Sequence, residues 1–214
     1  MDKTELERIT QRTLDHYNGR AEAFRQGTSD HDVTQNYQAL LSALPEGTPL
    51  KILDFGCGPG RDLVYFRNLG HEAIGLEGAE NFCAMARQSS GCEVWQQNFL
   101  KLDLPAGFFD GIFANASLFH VPRQELPRVL RELHKALKDH GVLFSSNPRG
   151  REEGWHGERY GAYMEWEEYE KYLKDAGFTP LKHYYRPHGQ PREAQPWLAV
   201  VSRKTDPAKT NPAF

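Results

Sequence analysis

The apolar run Ile52-Leu53-Asp54-Phe55 leads straight into glycines at alternate positions, Gly56, Gly58 and Gly60, and a helical stretch opens at Arg61. This junction constrains the fold more than any other segment. Glycines reach positive φ and let a ligand approach the backbone without a Cβ in the way. A helix start presents free N–H groups and the positive end of its dipole. In open α/β sheets the first strand–helix turn is where a nucleotide-like ligand sits.

The rest of the chain alternates in the same way. Strand-like runs at Leu50–Phe55, Ala73–Leu76, Cys92–Gln96, Gly111–Ala114 and Gly141–Ser145 are separated by helical stretches at Arg61–Leu69, Ala79–Gln88 and Glu125–Leu137. Leu126, Val129, Leu130, Leu133 and Leu137 recur at spacings of three and four, which makes one apolar helix face. Such alternation predicts βαβ units and a parallel sheet covered on both sides. Upstream, Glu5–Tyr17 and Val33–Leu44 read as helices around a Gly27–Asp32 joint. After a helix at Glu165–Ala176 the strand-like runs Phe178–Tyr185 and Trp197–Arg203 follow with only the loop Pro187–Pro196 between them. Two strands without a crossover helix pair antiparallel. The expected organisation is one domain over 1–204, with a helical lid at 1–48 and a Rossmann-like core at 49–204. Residues 205–214 are expected to form a flexible tail.

Bulk properties exclude several classes. The formal net charge is −3 with both signs mixed, and no basic patch of the kind that grips nucleic acid stands out. No apolar run approaches the roughly 18 residues of a membrane span, and Met1–Arg12 lacks a signal-peptide core. Cys57, Cys83 and Cys92 are badly spaced for a zinc site or a disulfide framework. These features predict a cytoplasmic protein without metal, nucleic-acid or membrane partners.

The glycine spacing also selects among cofactors. A dinucleotide fingerprint needs its third glycine at position 61, where this chain has Arg61. Asp54, just before the glycines, would repel a pyrophosphate but suits a cationic ligand. S-adenosylmethionine (SAM), with its sulfonium and ammonium groups, is one. The segment resembles motif I of class I SAM-dependent methyltransferases, and the similarity continues in order from Tyr17 to Arg203. The resemblance implies a seven-stranded sheet of order 3-2-1-4-5-7-6 with strand 7 antiparallel, and helices on both faces. It implies SAM as cofactor and S-adenosylhomocysteine as product. The loop Gly56-Cys57-Gly58, Gly60, Arg61 and Asp62 would hold the amino-acid end. Glu77, followed by Gly78, would take the ribose hydroxyls, and Asn98-Phe99 would flank the adenine. Asn115-Ala116-Ser117 and His120 would wall the methionine part. Tyr17-Asn18-Gly19-Arg20-Ala21-Glu22-Ala23-Phe24 resembles an aromatic lid over the cofactor.

The acceptor is less constrained. The fourth-strand turn lacks the Pro-Pro-aromatic pattern of many nucleic-acid and protein amino methyltransferases, and the build resembles stand-alone bacterial small-molecule enzymes. The segment Ser146–Met164 is rich in Arg, Gly and aromatics. Asn147, Arg149, Tyr160, Tyr163 and Arg186 are therefore expected to converge on a small anionic or aromatic acceptor, because paired guanidiniums recognise carboxylates and phosphates. His120 and Tyr163 are the candidate catalytic groups. A non-catalytic SAM-binding module and a nicotinamide-dependent oxidoreductase are the alternatives. The accepting atom and the oligomeric state stay open.

Overall fold

Apolar runs of strand length, alternating with amphipathic stretches, have one economical solution: a parallel sheet that buries both faces under helices. The computed structural model, which describes residues 1–28, 30–47 and 49–205, adopts it. The strands are β1 (Lys51–Phe55), β2 (Glu72–Glu77), β3 (Glu93–Gln96), β4 (Phe109–Asn115), β5 (Leu137–Pro148), β6 (Glu153–His156), β7 (Arg159–Ala162), β8 (Phe178–Arg186) and β9 (Trp197–Lys204). The helices are α1 (Lys3–Gly19), α2 (Ala21–Thr28), α3 (Thr34–Leu41), α4 (Arg61–Asn68), α5 (Glu80–Ser90), α6 (Leu126–Ala136) and α7 (Trp166–Asp175). The main sheet has seven strands in the order β3-β2-β1-β4-β5-β9-β8. Strands β1 to β5 pair parallel, and β9 is antiparallel to both its neighbours. Counted within that sheet alone, this is the expected 3-2-1-4-5-7-6 order with its antiparallel seventh strand.

Side-chain alternation divides the core. Leu53, Phe55, Ile112 and Leu143 pack with Leu126, Val129, Leu130 and Leu133 of α6 and Leu173 of α7. Ile52, Phe113, Val142 and Phe144 point the other way, onto Tyr37 and Leu40 of α3, Leu63 and Phe66 of α4 and Ala86 of α5. Because β1, β2, β4 and β5 run parallel, their carboxyl ends at Phe55, Glu77, Asn115 and Pro148 open on one edge of the sheet. Helices α1 and α2 lie over that edge. Leu14, Tyr17 and Phe24 pack against Phe82 of α5 and Ala79, its N-cap.

Three features depart from the sequence reading. Strand β5 starts directly where α6 ends, so it is longer than the Gly141–Ser145 run. Its N-terminal part carries His140 at φ 63° and re-enters register with Leu137 opposite Phe109. The lid motif is two helices, since α1 ends at Gly19 and the Arg20 N–H caps Tyr17. Within the Ser146–Met164 segment, β6 and β7 form a separate antiparallel hairpin, with His156 opposite Arg159 and Gly157 turning at φ 66°. That hairpin lacks the alternating apolar pattern by which strands are recognised. Thr205 donates its N–H to Gly177 O, and the remainder of the expected tail lies outside the described residues.

The turn between β1 and α4 makes a sharp demand at Gly60, the N-cap of α4, which sits at φ 93°. A Cβ there would lie 2.8 Å from the Cα of Ala86 on α5. Left-handed backbone costs a non-glycine residue roughly 1–2 kcal/mol before any clash. Gly60→Ala should therefore lower the melting temperature by at least about 2 °C, at ~2–4 °C per kcal/mol for a chain of this size, and by more once the clash is added. Gly27 lies in α2 with nothing within 4 Å of its would-be Cβ. Gly27→Ala should leave the melting temperature unchanged or raise it by a few degrees, and calorimetric scans of the two variants check the contrast.

Candidate functional site

The carboxyl edge of the sheet and its cover enclose a cavity of about 770 Å³, within the size range of small-molecule sites. Its floor is the β1–α4 turn. Gly56 (φ 79°) and Gly58 (φ 51°) have no room or need for side chains in different ways. A Cβ on Gly56 would meet Ser117 Cβ at 2.4 Å, whereas one on Gly58 would face the cavity, with Phe24 3.9 Å away. The turn is tied to β2, since the N–H groups of Gly56 and Cys57 both donate to Leu76 O, at 2.8 and 3.2 Å.

Glu77, at the end of β2, holds the turn from the other side. Its carboxylate accepts from Gly58 N at 3.0 Å, Gly78 N at 2.8 Å and Ala79 N at 2.9 Å. It thereby joins the glycine turn to the N-terminus of α5. Burial pushes its pKa up, and the three N–H donors oppose that shift. One oxygen, Oε2, carries a single bond and keeps acceptor capacity for a ligand hydroxyl. Asp54 lies buried beneath the turn, and its Oδ2 has no hydrogen-bond partner. Its pKa is raised well above the ordinary value, by burial first and by the neighbouring Asp62 and Glu77 carboxylates, against the pull of Arg61.

Asp62 anchors a buried polar network on the cavity wall. It accepts from Tyr37 Oη at 2.5 Å and Arg61 Nε at 2.7 Å, and Asn115 Nδ2 reaches it at 3.4 Å. Asn115 in turn accepts from Asn36 Nδ2 at 2.9 Å, and Asn36 from Tyr184 Oη at 3.0 Å. Arg61 also donates to Thr28 O, which fixes the end of α2 to the turn. Ala116 follows at φ 59°, strained for a residue with a side chain, and Ser117 Oγ donates to Phe55 O at 2.6 Å. Phe99 stacks on Phe55 with centroids 4.2 Å apart, and Asn98 Oδ1 accepts from Leu100 N at 2.8 Å in a local turn.

His120 sits opposite, in the short 3-10 turn Leu118–His120 after β4. Its Nδ1 lies 2.6 Å from Tyr160 O and its Nε2 lies 2.8 Å from Tyr17 Oη. Burial pushes its pKa down to about 4, so the ring is neutral near pH 7. Tyr17, Phe24 and Phe82 form an aromatic cluster beside it, with centroids 5.2–5.6 Å apart.

The structure thus brings together, on one cavity, Tyr17, Gly56, Cys57, Gly58, Gly60, Arg61, Asp62, Glu77, Gly78, Asn98, Phe99, Asn115, Ala116, Ser117, His120 and Arg186. It corrects the expected convergence of Asn147, Arg149, Tyr160 and Tyr163 with Arg186, because none of those four lines the cavity, and Asp54, expected to meet the cationic cofactor, is buried beneath the turn and does not line it either. Arg149 is spent on Glu165 at 3.2 Å and on the carbonyls of Arg192 and Gln195 at 2.8 and 3.0 Å, where it pins the β8–β9 loop. Asn147 Oδ1 accepts from Phe119 N and braces the 3-10 turn. Tyr160 turns its hydroxyl to Glu153, and Tyr163 stacks on His156 outside the cavity. For Tyr160 the reason is the β6–β7 hairpin: successive side chains of a strand point to opposite faces, and Arg159 faces the cavity instead. Arg159 and Phe119 belong to segments expected at the site, the first toward the acceptor and the second on the wall after β4, and both line the cavity, whereas Phe82 of α5 was missed. Nothing in the local sequence separates Phe82 from a core position.

Residues 53–145 match the methyltransferase domain family. A trans-aconitate 2-methyltransferase of Azoarcus sp. (strain BH72) is 30% identical over 125 residues, which are 58% of this chain and 49% of that protein. The chain thus spans about half the length of this relative. The structure of Burkholderia thailandensis 1,6-didemethyltoxoflavin-N1-methyltransferase, with 1,6-didemethyltoxoflavin and S-adenosylhomocysteine bound, superposes with a TM-score of 0.74. It is 22% identical, and the match covers 94% of this chain and 90% of that one. The [4+2]-cyclase SpnF has the same fold at a TM-score of 0.72 and 17% identity, covering 92% and 96% of the two chains. The strand order with its antiparallel β9 and the partial family match agree: residues 53–145 match the methyltransferase domain family, and the chain as a whole has the fold of the class I, SAM-dependent methyltransferases.

Proposed function

We propose that the cavity binds SAM and that the protein transfers its methyl group to a small-molecule acceptor with an anionic or aromatic part. One observation carries the reading. A buried carboxylate, Glu77, and an unpartnered one, Asp54 Oδ2, flank a glycine turn open to the cavity at Gly58. A buried carboxylate without a partner is costly, and a cationic ligand offsets that cost and draws the raised pKa of Asp54 back down. A pyrophosphate would do the reverse. When bound, SAM supplies a methyl group already activated on a positively charged sulfur.

The chain's own residues then position and exclude. Glu77 Oε2 takes a ribose hydroxyl, Phe99 with Asn98 flanks the base, and the Gly56–Asp62 turn receives the amino-acid end. Asn115, Ala116, Ser117 and His120 border the reacting region, and Tyr17, Phe24 and Phe82 keep water out. The acceptor reading rests on Arg159 and Arg186, which line the cavity and form no ion pair among the described residues, whereas Arg149 and Arg192 share Glu165. The trans-aconitate enzyme, by its name, acts on such an acid. The SpnF cyclase has this fold, so fold alone does not give methyl transfer. Incubation with methyl-labelled SAM across a library of small acids and aromatic metabolites tests the reading. S-adenosylhomocysteine binding with no labelled product would leave a binding module.

Three outcomes are expected. A charge-assisted hydrogen bond is worth about 1.5–3 kcal/mol, so Glu77→Ala should weaken S-adenosylhomocysteine at least tenfold by titration calorimetry. Arg149→Met, outside the cavity, should change that affinity less than about twofold.

Replacing both Arg159 and Arg186 by methionine should raise the KM of an acidic acceptor by more than about tenfold. The affinity for S-adenosylhomocysteine should stay the same. Loss of cofactor affinity instead would assign both arginines to the cofactor.

The third outcome concerns His120, whose folded pKa of about 4 lies below the unfolded value of ~6.5. Between the two, the unfolded chain holds a proton that the folded chain does not. The stabilising contribution is complete above ~pH 6.5 and is lost as pH falls toward 4, about 2 kcal/mol of it between pH 7 and pH 5. His120→Gln lacks this term, and the opposing carboxylates Asp54 and Glu77 are common to both proteins. Urea unfolding should therefore show the stability gap between wild type and variant shift by about 2 kcal/mol over that range. Parallel pH profiles would mean that the ring is not buried neutral.

A further inference from the structure

We infer that Tyr17 receives the hydrogen of an acceptor's O–H or N–H group, with His120 Nε2 behind it as the destination of a proton. The inference rests on the proposed methyl transfer and deepens it, because it names the chemical class of the accepting atom.

Hydrogen-bond direction sets what Tyr17 can offer the cavity. His120 Nδ1 lies 2.6 Å from the backbone oxygen of Tyr160. A carbonyl oxygen can only accept, so Nδ1 carries the hydrogen. A neutral imidazole has a single N–H, and its depressed pKa keeps this ring neutral. Nε2 is therefore a bare lone pair, and the contact to Tyr17 Oη at 2.8 Å is a bond that Tyr17 donates. The phenol has only one hydrogen, and it is spent. What Tyr17 offers the cavity is oxygen lone pairs, one of them within 3.5 Å of Arg159 Nη1. A group that docks on the other must be a donor. A carboxylate oxygen, a thioether sulfur or a tertiary amine does not fit there. A protonated amine is opposed by the Arg159 guanidinium beside it. A neutral hydroxyl or N–H fits.

The same chain moves a proton in balance. As a bond forms from the acceptor atom X to the methyl carbon, the carbon–sulfur bond breaks and the electron pair stays on sulfur. The X–H proton passes to Tyr17 Oη while the Tyr17 hydrogen passes to His120 Nε2. One positive charge disappears at sulfur and one appears on the imidazolium, so the net charge of the closed cavity does not change. That matters because the charges that act most on the ring, Arg159 foremost, oppose a positive imidazolium. Charging His120 in isolation is unfavourable, and charging it as the sulfonium discharges is not opposed by the same amount. Tyr17 is the residue that meets the acceptor, and His120 acts through it.

The test reads the ring itself. Two-bond 1H–15N spectra of labelled protein, with His120→Gln to assign the peaks, are recorded first without ligand. They are repeated with saturating S-adenosylhomocysteine and either phenol, which has the donor, or anisole, which lacks it. The expected result is the neutral Nδ1–H form at pH 7, a shift of Nε2 with phenol but not anisole, and loss of that shift in Tyr17→Phe. An Nε2–H tautomer overturns the inference, as does a ring that responds to both probes alike or to neither. Failure of the methyltransferase reading shows separately, as absence of S-adenosylhomocysteine binding by calorimetry, whereas the tautomer is read before any ligand is added.

Discussion

The carboxylate of Glu77 is the interaction on which the site depends. It stands at the end of β2, beside the turn that leaves β1, and accepts N–H groups from Gly58 on one side and from Gly78 and Ala79 on the other. Burying a carboxylate is expensive unless donors surround it. Here the donors come from the glycine turn and from the start of α5, whose dipole favours negative charge. The parallel register that sets Phe55 against Leu76 brings these two turns level. Fold and site are therefore joined at one side chain. Glu77 shapes the cradle, and its Oε2 keeps capacity to hold what the cradle receives.

The cavity has a rigid floor and a looser cover. Floor residues hang on buried strand ends and on the Asp62–Asn115–Asn36 network. The cover comes from segments far apart in sequence. Helix α1 is fastened to the β6–β7 hairpin by Tyr160 N to Thr13 Oγ1 at 3.1 Å, by the Arg12–Glu158 pair and by Arg12 stacked 4.3 Å over Trp155. Exposed pairs of that kind contribute only about 0–1 kcal/mol each. A cover held by these contacts and one small apolar cluster opens at lower cost than the sheet, which suits the proposed entry of a cofactor and an acceptor.

How much of this was legible in the sequence follows from how local each signal is. The β1–turn–α4 junction carries its information in consecutive residues, so its glycines and Asp54, and Glu77 some twenty residues on, were readable from the string. The helix-free step between the last two strands exposed the antiparallel β9 in the same way. The acceptor side was not readable. Arg149 and Arg159 lie in one Arg- and Gly-rich segment, yet the β6–β7 pairing turns Arg159 to the cavity while the β5–β9 ladder carries Arg149 to Gln195 and Glu165. Asn36 and Tyr37 join the site from α3 through bonds to Asn115 and Asp62. Nothing in the α3 sequence announces partners 79 and 25 residues away.

Charge is distributed across the cavity in a way that orients the proposed reaction. Glu77 beside the floor and Asp62 on the wall line the cavity, Asp54 is buried beneath the turn, and Arg61 forms a close pair with Asp62 alone. The cover and the β8 end present Arg159 and Arg186. A cationic cofactor lowers its energy against the floor, and an anionic part of an acceptor lowers its energy against the cover. Each repels the other's place. In a cavity shielded from water these fields are stronger than in solvent, so they sort the two ligands before any specific contact forms. The reacting groups are then left facing each other across the middle, beside Tyr17 and His120. An in-line displacement gains most from such pre-alignment, because small misplacements of the reacting atoms are costly. On this reading the enzyme's main contribution is to separate charge on opposite walls and leave a narrow, aromatic-lined gap between them.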